Sequence, residues 1–357
     1  MAVFNFVDEK GTIGLDKFSV LVPSRLDPVR KVLTFTPLVS GRIIGARIVA
    51  AVTGFFALPL ALRRFKPDII VNYSVPTFGL PVLIFSRLFG LPVVFRAIDV
   101  SHQIRKTVFS PLVKFWEKLV YRGSNHISSH NSSLLEYCIS MGGDRQFTSI
   151  DYPPVQDMIF QASELSRQKS RETLGLESRS EGTTYLVLGT QFSFSGVDKL
   201  IPSFRECGRE CDTLLVIGNG ALESRIEQLS RGDARIFCLP PLPFEEIPIA
   251  LSAADVSLVT FESNLVTNCA LPQRALLSLA AGVPVMSFPL SGLVSEFGER
   301  GVHVVENYED FFDSVKLLET KRPDVANLKQ SLSSEKTASQ FFEILRRTLA
   351  RYNGELS

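Results

Sequence analysis

The stretch "NCALPQRALLSLAAGVPV", residues 268–285, decides how this chain is read. A polar, irregular start runs into a helix, which closes on a small-residue pair and Gly282 before an apolar "VPV" strand. A helix start leaves backbone N–H groups unpaired and carries the positive end of the helix dipole, so it suits an anion. Arg274 falls in the first turn, where that dipole disfavours a cation, so it reads either as a partner of an anionic ligand or as one half of a surface salt bridge.

The same rhythm extends outward. "TYLVLGT" (184–190), "TLLVIGNG" (213–220), "ARIFCLP" (234–240), "DVSLVTF" (255–261) and "PVMSF" (284–288) read as strands. Helical stretches separate them: "GVDKLIPSFREC", "ALESRIEQLS" and "FEEIPIALSAA". The first half repeats the pattern, with strands in "DIIVNY" (68–73), "LPVVFRAID" (91–99) and "HISSH" (126–130). Its helices are "PVLIFSRLFG", ending at glycine, "LVKFWEKLVYRGS" and "SLLEYCISMG". The second of these has an apolar stripe at Leu112, Phe115, Trp116, Leu119 and Val120. Residues 151–184 are polar with few long apolar runs and read as the linker and the entry to a second domain. The tail "TASQFFEILRRTLARY" (337–352) sets Phe341, Phe342, Ile344, Leu345 and Leu349 on one helical face.

Alternating strands and helices imply an α/β fold of two Rossmann-like, doubly wound domains facing a cleft. The expected division is 1–160, 161–330, and a C-terminal helix in 331–357 packing back on the domains. Ligands of such sheets bind at the strand C-termini, but the fold alone names no chemistry.

Hydrophobic residues make up 45% of the 357 and charged residues 21%, the balance of a folded globular chain. The net charge of +1 gives no support to a nucleic-acid partner, and none is expected. Cys138, Cys207, Cys211, Cys238 and Cys269 fit no disulfide framework or zinc box, and read as buried free thiols. No metal site is expected. There is no phosphate-binding GxxxxGK[ST] and no G-x-G-x-x-G, which disfavours ATP and nicotinamide chemistry.

The opening "MAVFNFVDEKGTIGLDKF" lacks the basic start and apolar run of a signal peptide. "IVAAVTGFFALPLAL" (48–62) is uncharged, but its 15 residues fall short of the ~20 that span a bilayer, and Pro59 interrupts it. Arg42 and Arg47 precede it, and Arg63, Arg64 and Lys66 follow. Two readings stay open: a buried helix of the first domain, or a monotopic helix touching a membrane through 42–66. The expected location is cytoplasmic, with the second reading placing the protein at the cytoplasmic face of a membrane.

Four blocks of the second half come in the order and spacing of one family: "YLVLGTQFSFSGVDKLIPSF", "TLLVIGNGALESRIEQL", "ARIFCLPPLPFEEIPIALSAADVSLV" and "ALPQRALLSLAAGVPVMSF". They resemble the donor domain of GT-B-fold retaining glycosyltransferases of family 4. "LRRFKPDIIVNYSVPTFGLPVLIFSRLFGLPVVFRAID" and "HISSHNSSLLEYCISMGG" look like that family's acceptor domain. The resemblance spans roughly residues 62–305. It implies transfer of a sugar, with retention, from a nucleotide-diphosphate donor to a glycan or lipid-linked acceptor, with no cofactor besides the donor.

The resemblance implies a donor site built from Gly189, Thr190, Ser195 and Gly196, then Gly218, Asn219, Leu239 and Pro240. Asn268 and the helix start at Leu271, Pro272, Gln273 and Arg274 complete it. Catalytic and acceptor-side roles fall to Asp99, His102, His130 and Glu262, with Arg96 nearby. Departures from the family pattern are specific. Its usual arginine and lysine of the first loop are Thr190 and Ser195 here, and its two glutamates are matched by Cys269 and Leu277. Glu262, at the end of the preceding strand, either does that work or is a plain loop carboxylate. The glycine-rich loop expected near the N-terminus is met only by isolated glycines in "DEKGTIGLDKF". Two further functions fit the same residues: a catalytically degenerate binding or partner subunit, and a sugar-nucleotide epimerase.

Overall fold

A computed structural model describes residues 2–4, 33–35, 46–73, 75–76, 78–104, 108–176, 181–313 and 322–355. The isolated glycines of "DEKGTIGLDKF" and Arg42 lie outside the described residues. Near the N-terminus, β1 (Ala2–Phe4) pairs in parallel with β2 (Leu33–Phe35). The first larger sheet is parallel, with β3 (Ile70–Asn72), β4 (Val93–Ala97), β5 (His126–Ser129) and β6 (Thr148–Ile150) in sequence order. The second sheet contains β7 (Thr184–Leu188), β8 (Thr213–Ile217), β9 (Ile236–Leu239), β10 (Val256–Val259), β11 (Val285–Ser287) and β12 (Val302–Val304). Its spatial order is β12-β11-β10-β7-β8-β9, again all parallel.

Burial on both faces explains why the central strands read as unbroken apolar runs. Leu186 and Leu188 point into one core, with Leu215, Ile217 and Val259. Tyr185 and Val187 point into the other, with Leu214, Val216, Val256 and Leu258. The order of this sheet reverses between β7 and β10. Their C-terminal ends therefore open a crevice, the place where doubly wound sheets bind ligands.

Several sequence expectations change. The polar stretch after residue 151 is no plain linker, because Val155, Ile159, Phe160 and Ala162 are buried in a core of the second sheet. Pro59 does not break its helix, which runs continuously over Ala46–Phe65. Among the described residues no helix is long and apolar enough to cross a membrane. In helix Ser110–Gly123, Leu112, Phe115 and Leu119 of the apolar stripe face solvent, while Glu117, Val120 and Tyr121 are buried. The reason is a polar cluster, described below, that Glu117 completes. Cys211 and Cys238 are exposed, whereas Cys138 and Cys269 are buried.

The C-terminal helix Ser334–Tyr352 returns to the first sheet. Arg351 donates to His126 Nδ1 at 3.3 Å and lies 4.6 Å over the Phe147 ring. Phe341 receives the Arg96 guanidinium at 4.8 Å, but Phe342 points outward, off the expected packing face.

Candidate active site

At the β7–β10 crevice two loops meet. One, residues 189–196, follows β7 and leads into helix Val197–Cys207; the other follows β10 and leads into helix Gln273–Ala280. A Cβ on Gly218 would strike the Gly189 carbonyl, and one on Gly196 would strike Thr260 and Tyr308, so both need glycine. Backbone bonds fix the first loop: Gly189 N to Ile217 O at 2.8 Å, Gln191 N to Asn219 O at 2.8 Å and Ser195 N to Phe192 O at 2.9 Å. The Thr260 hydroxyl donates to the Ser195 carbonyl and ties it to the end of β10. Gly218 N donates to Leu239 O at 3.0 Å, which brings the ends of β8 and β9 to the same edge.

Arg274 is the chemical centre of this crevice. Its side chain is buried, its Nη2 donates to Thr190 O at 2.7 Å, and its guanidinium lies 4.9 Å over the Phe261 ring. Nη1 is also buried and finds no hydrogen-bond partner among the described residues. Burial pushes its pKa down to about 10, so at neutral pH a full positive charge sits in the interior. No carboxylate pairs with it among the described residues, and buried charges are as a rule paired. Other buried polar atoms beside it are open too: Gln191 Oε1, Ser195 Oγ and Tyr308 Oη. Unsatisfied buried atoms occur elsewhere in the chain as well, but of those at this crevice only Arg274 Nη1 belongs to a charged group.

The remaining donor-side residues divide. Thr190 and Asn219 are exposed on the rim, and Gln273 is exposed at the helix start. Pro272 is the N-cap and has no N–H to offer. Asn268 is engaged locally, with Ser263 and the Ser291 backbone. Leu277 is buried in a core. Glu262 is half-exposed at the crevice rim and is held by Lys199.

On the first sheet His102 is buried. Its Nδ1 donates to Glu117 Oε2 at 2.6 Å, and its Nε2 accepts from Gln103 Nε2 at 2.9 Å. Tyr137 donates to the same Glu117 oxygen at 3.0 Å. Burial raises the Glu117 pKa, and the His102 and Tyr137 contacts oppose that rise. Asp99 follows β4, accepts from Ser101 Oγ at 3.1 Å, and is pushed up by burial against that hydrogen bond. Arg96 pairs with the buried Asp151 at 2.6 Å.

The two sheets meet at the loop between β10 and helix Gln273–Ala280. His130 Nε2 donates to Cys269 O at 3.2 Å, and Asn131 Nδ2 donates to the same oxygen at 2.9 Å. Across the same seam Glu296 accepts from Ser132 N at 2.9 Å and from Tyr152 at 2.5 Å. Burial lowers the His130 pKa to about 4, with Arg96 adding to the effect and the Cys269 carbonyl opposing it. His130 is thus a neutral donor that ties the two domains. A cavity of about 380 Å³ opens at the opposite end of the second sheet, beside Ser163, Arg167, Asp255 and Gly282, and holds none of these residues.

No family model matches the chain, and no curated protein matches it in sequence. Solved structures do. HepE of Anabaena, in complex with UDP, is similar at a TM-score of 0.66 and 16% identity, over 88% of this chain and 86% of that one. Sucrose-phosphate synthase from Thermosynechococcus elongatus reaches 0.76 at 14% identity, over 98% and 89%. A glycosyltransferase from Rickettsia africae gives 0.69 at 12% identity, over 89% and 85%. This chain has the GT-B fold.

In this GT-B chain the structure brings Gly189, Thr190, Ser195, Gly196, Gly218, Asn219 and Arg274 to one crevice. His130 reaches the adjoining loop. Nothing in the hydrogen bonding joins Asp99 to His130 or Glu262 among the described residues. Sequence reasoning missed Glu117 and Tyr137, which hold His102, and Asn131 and Glu296, which hold the domains. It also missed the aromatic pair Phe192 and Phe194 inside the loop it quoted. Two phenylalanines in an otherwise polar loop were the available signal.

Proposed function

We propose that the protein is a glycosyltransferase that moves a sugar from a nucleotide-diphosphate donor to an acceptor with retention. One observation carries this reading: the buried Arg274 guanidinium, without a counter-ion among the described residues, at the switch point of a GT-B domain. A diphosphate supplies the missing anion, and leaving-group charge grows on it as the glycosidic bond breaks, so the same cation favours the transition state. UDP bound in HepE supports a uridine nucleotide as the first donor to try. Gly189, Thr190, Ser195, Gly196 and the helix start at Gln273 and Arg274 flank the diphosphate in this reading. Gly218, Asn219, Leu239 and Pro240 flank the nucleoside.

On the acceptor side Asp99 and His102 border the acceptor, with the His102 Nε2 lone pair taken by Gln103 until a sugar hydroxyl displaces that contact, while His130 and Glu262 border the reacting centre. A lipid-linked acceptor fits the apolar surface of the first domain. Phe56 and Leu60 of helix Ala46–Phe65 and Leu88 of helix Gly79–Phe89 are each about two-thirds exposed or more, Arg63 and Arg64 sit in the last turn of the first helix, and Lys66 follows it. Such a face suits the interface of an anionic membrane.

A second reading, a GT-B protein that binds nucleotide or glycan without turnover, is favoured by Thr190, Ser195 and the buried Leu277, which replace the family's cations and acid. The experiment that separates them is a thermal-shift screen against nucleotides and nucleotide sugars. A transfer assay on each hit follows, with the product anomer read by NMR. Binding with turnover and retained configuration is the expected result, binding without turnover selects the second reading, and no nucleotide binding overturns both.

A further inference from the structure

The loop that carries Thr190 and Ser195 in place of cations carries something else between them. Phe192 and Phe194 stack in parallel, with ring centroids 5.0 Å apart and planes 7° apart. Both are well exposed, at 43% and 37%. Phe194 meets the buried Phe261 edge-on at 5.5 Å, and Phe261 is the ring beneath Arg274. Three aromatic rings therefore run from the buried guanidinium out to solvent.

This ledge is rigid. Gln191 is buried and bonded through its backbone to Asn219 and Leu222, Ser195 N closes a turn onto Phe192 O, and Thr260 holds the Ser195 carbonyl. A loop free to collapse would cover two phenylalanines against its own domain, whereas this one keeps them presented. Large exposed apolar groups held in place mark binding sites.

The side of the crevice selects the occupant. Phe194 leans on Phe261, which follows β10, whereas the nucleoside of the proposed donor belongs at the ends of β8 and β9, on the other flank of β7. What reaches the ledge must therefore lie beyond the diphosphate. It must also offer a flat apolar face at one end and polar groups at its rim. A pyranose ring has that form, with C–H groups on its face and hydroxyls at its edge.

We propose that Phe192 and Phe194 form a sugar-stacking platform, which makes ring shape rather than phosphate charge the basis of selection in this loop. The inference rests on the nucleotide-sugar reading for the direction of the donor. The sugar on the ledge is either the one transferred or the terminal sugar of the acceptor.

The test uses the full chain and two double variants, F192A/F194A and F192L/F194L, the second keeping apolar bulk without an aromatic face. Calorimetry with UDP, UDP-glucose and UDP-galactose is one arm. Saturation-transfer NMR with free maltose and lactose, in the presence of UDP, is the other. We expect both variants to bind UDP within twofold of the parent. If the platform takes the transferred sugar, affinity for the preferred UDP-sugar falls about tenfold, the scale of one aromatic stacking contact. If it takes the acceptor sugar, UDP-sugar affinity stays and the saturation transfer to the disaccharide is lost in both variants. Loss of UDP affinity itself overturns the proposal by placing the base on the ledge. Unchanged behaviour in both arms overturns it as well. If the parent binds no nucleotide, the donor reading fails. The NMR arm still decides the platform: phenylalanine-dependent saturation of the sugar supports it, and its absence refutes it.

Discussion

Around the first sheet, buried charge is answered: Glu117 by His102 and Tyr137, Asp151 by Arg96. Most of the second domain follows the same rule, with Asp255 held by Arg171 and Asp212 by Arg209. Arg274 breaks it, with one nitrogen bonded to a carbonyl and the other bare among the described residues. Ion pairs of the first kind hold a structure together, although Glu117 Oε1 and Asp151 Oδ1 also lack a hydrogen-bond partner among the described residues; what sets Arg274 apart is the lack of an opposite charge among them. An open buried cation costs stability in the absence of a ligand and gives binding energy in its presence. The difference separates residues that build this molecule from the one assigned to a ligand in the proposed function.

The comparison breaks most severely if charge is added where no partner exists. Leu277, where the family resemblance would place a carboxylate, is buried in a core. Leu277→Glu should lower stability by roughly 3–5 kcal/mol, the cost of an uncompensated buried charge. Urea melts measure it. A stable variant that binds nucleotide more tightly would show that this position faces the crevice.

Acid probes the closed side. Burial lowers His130 to about 4, and burial with Arg351 nearby lowers His126 to about 4. Between the usual 6.5 and about 4 the unfolded chain binds these protons and the folded one does not, so stability rises with pH across that window. Acidification from pH 6.5 to 4 should cost about 2–3 kcal/mol for each histidine. His130→Gln and His126→Gln should each flatten the slope when denaturant midpoints are followed against pH. An unchanged slope in both would contradict the burial argument.

Glu117→Gln sharpens the same contrast at smaller scale. It leaves His102 facing an amide in place of a carboxylate, and should cost about 1–3 kcal/mol. Because Glu117 orients His102 on the proposed acceptor side, kcat should also fall. Smallest in stability is the surface change Phe56→Ser with Leu60→Ser. Folding should be unaltered within about 0.5 kcal/mol, while flotation with anionic vesicles falls. Equal flotation would remove the membrane contact from the proposal.

The fold was legible because alternation of apolar runs with amphipathic stretches is a local property, and both faces of β7, β8 and β10 are buried. Short edge strands such as β6 and β12 left little pattern in three residues each. Helix Ser110–Gly123 misled because its apolar residues outnumber its buried positions, and Glu117 is buried through a histidine fifteen residues away. At the site, helix starts and glycine turns are written locally, so Gly189, Gly196, Gly218 and Arg274 could be named. Whether Arg274 has a partner could not, since that depends on every residue the fold brings near it.

That bare nitrogen is also the most direct thing to test. Thermal melts of the parent and of Arg274→Met, each with and without UDP, examine both halves of the claim at once. Met keeps most of the apolar packing on Phe261 and removes the charge. Without ligand the variant should be more stable by about 1–2 kcal/mol, the relief of an unpaired buried charge. With UDP at a hundred times its Kd the parent should gain about 2.7 kcal/mol and the variant much less. A variant that is less stable alone and gains as much from UDP as the parent would show that Arg274 is a structural residue and that no anion binds there.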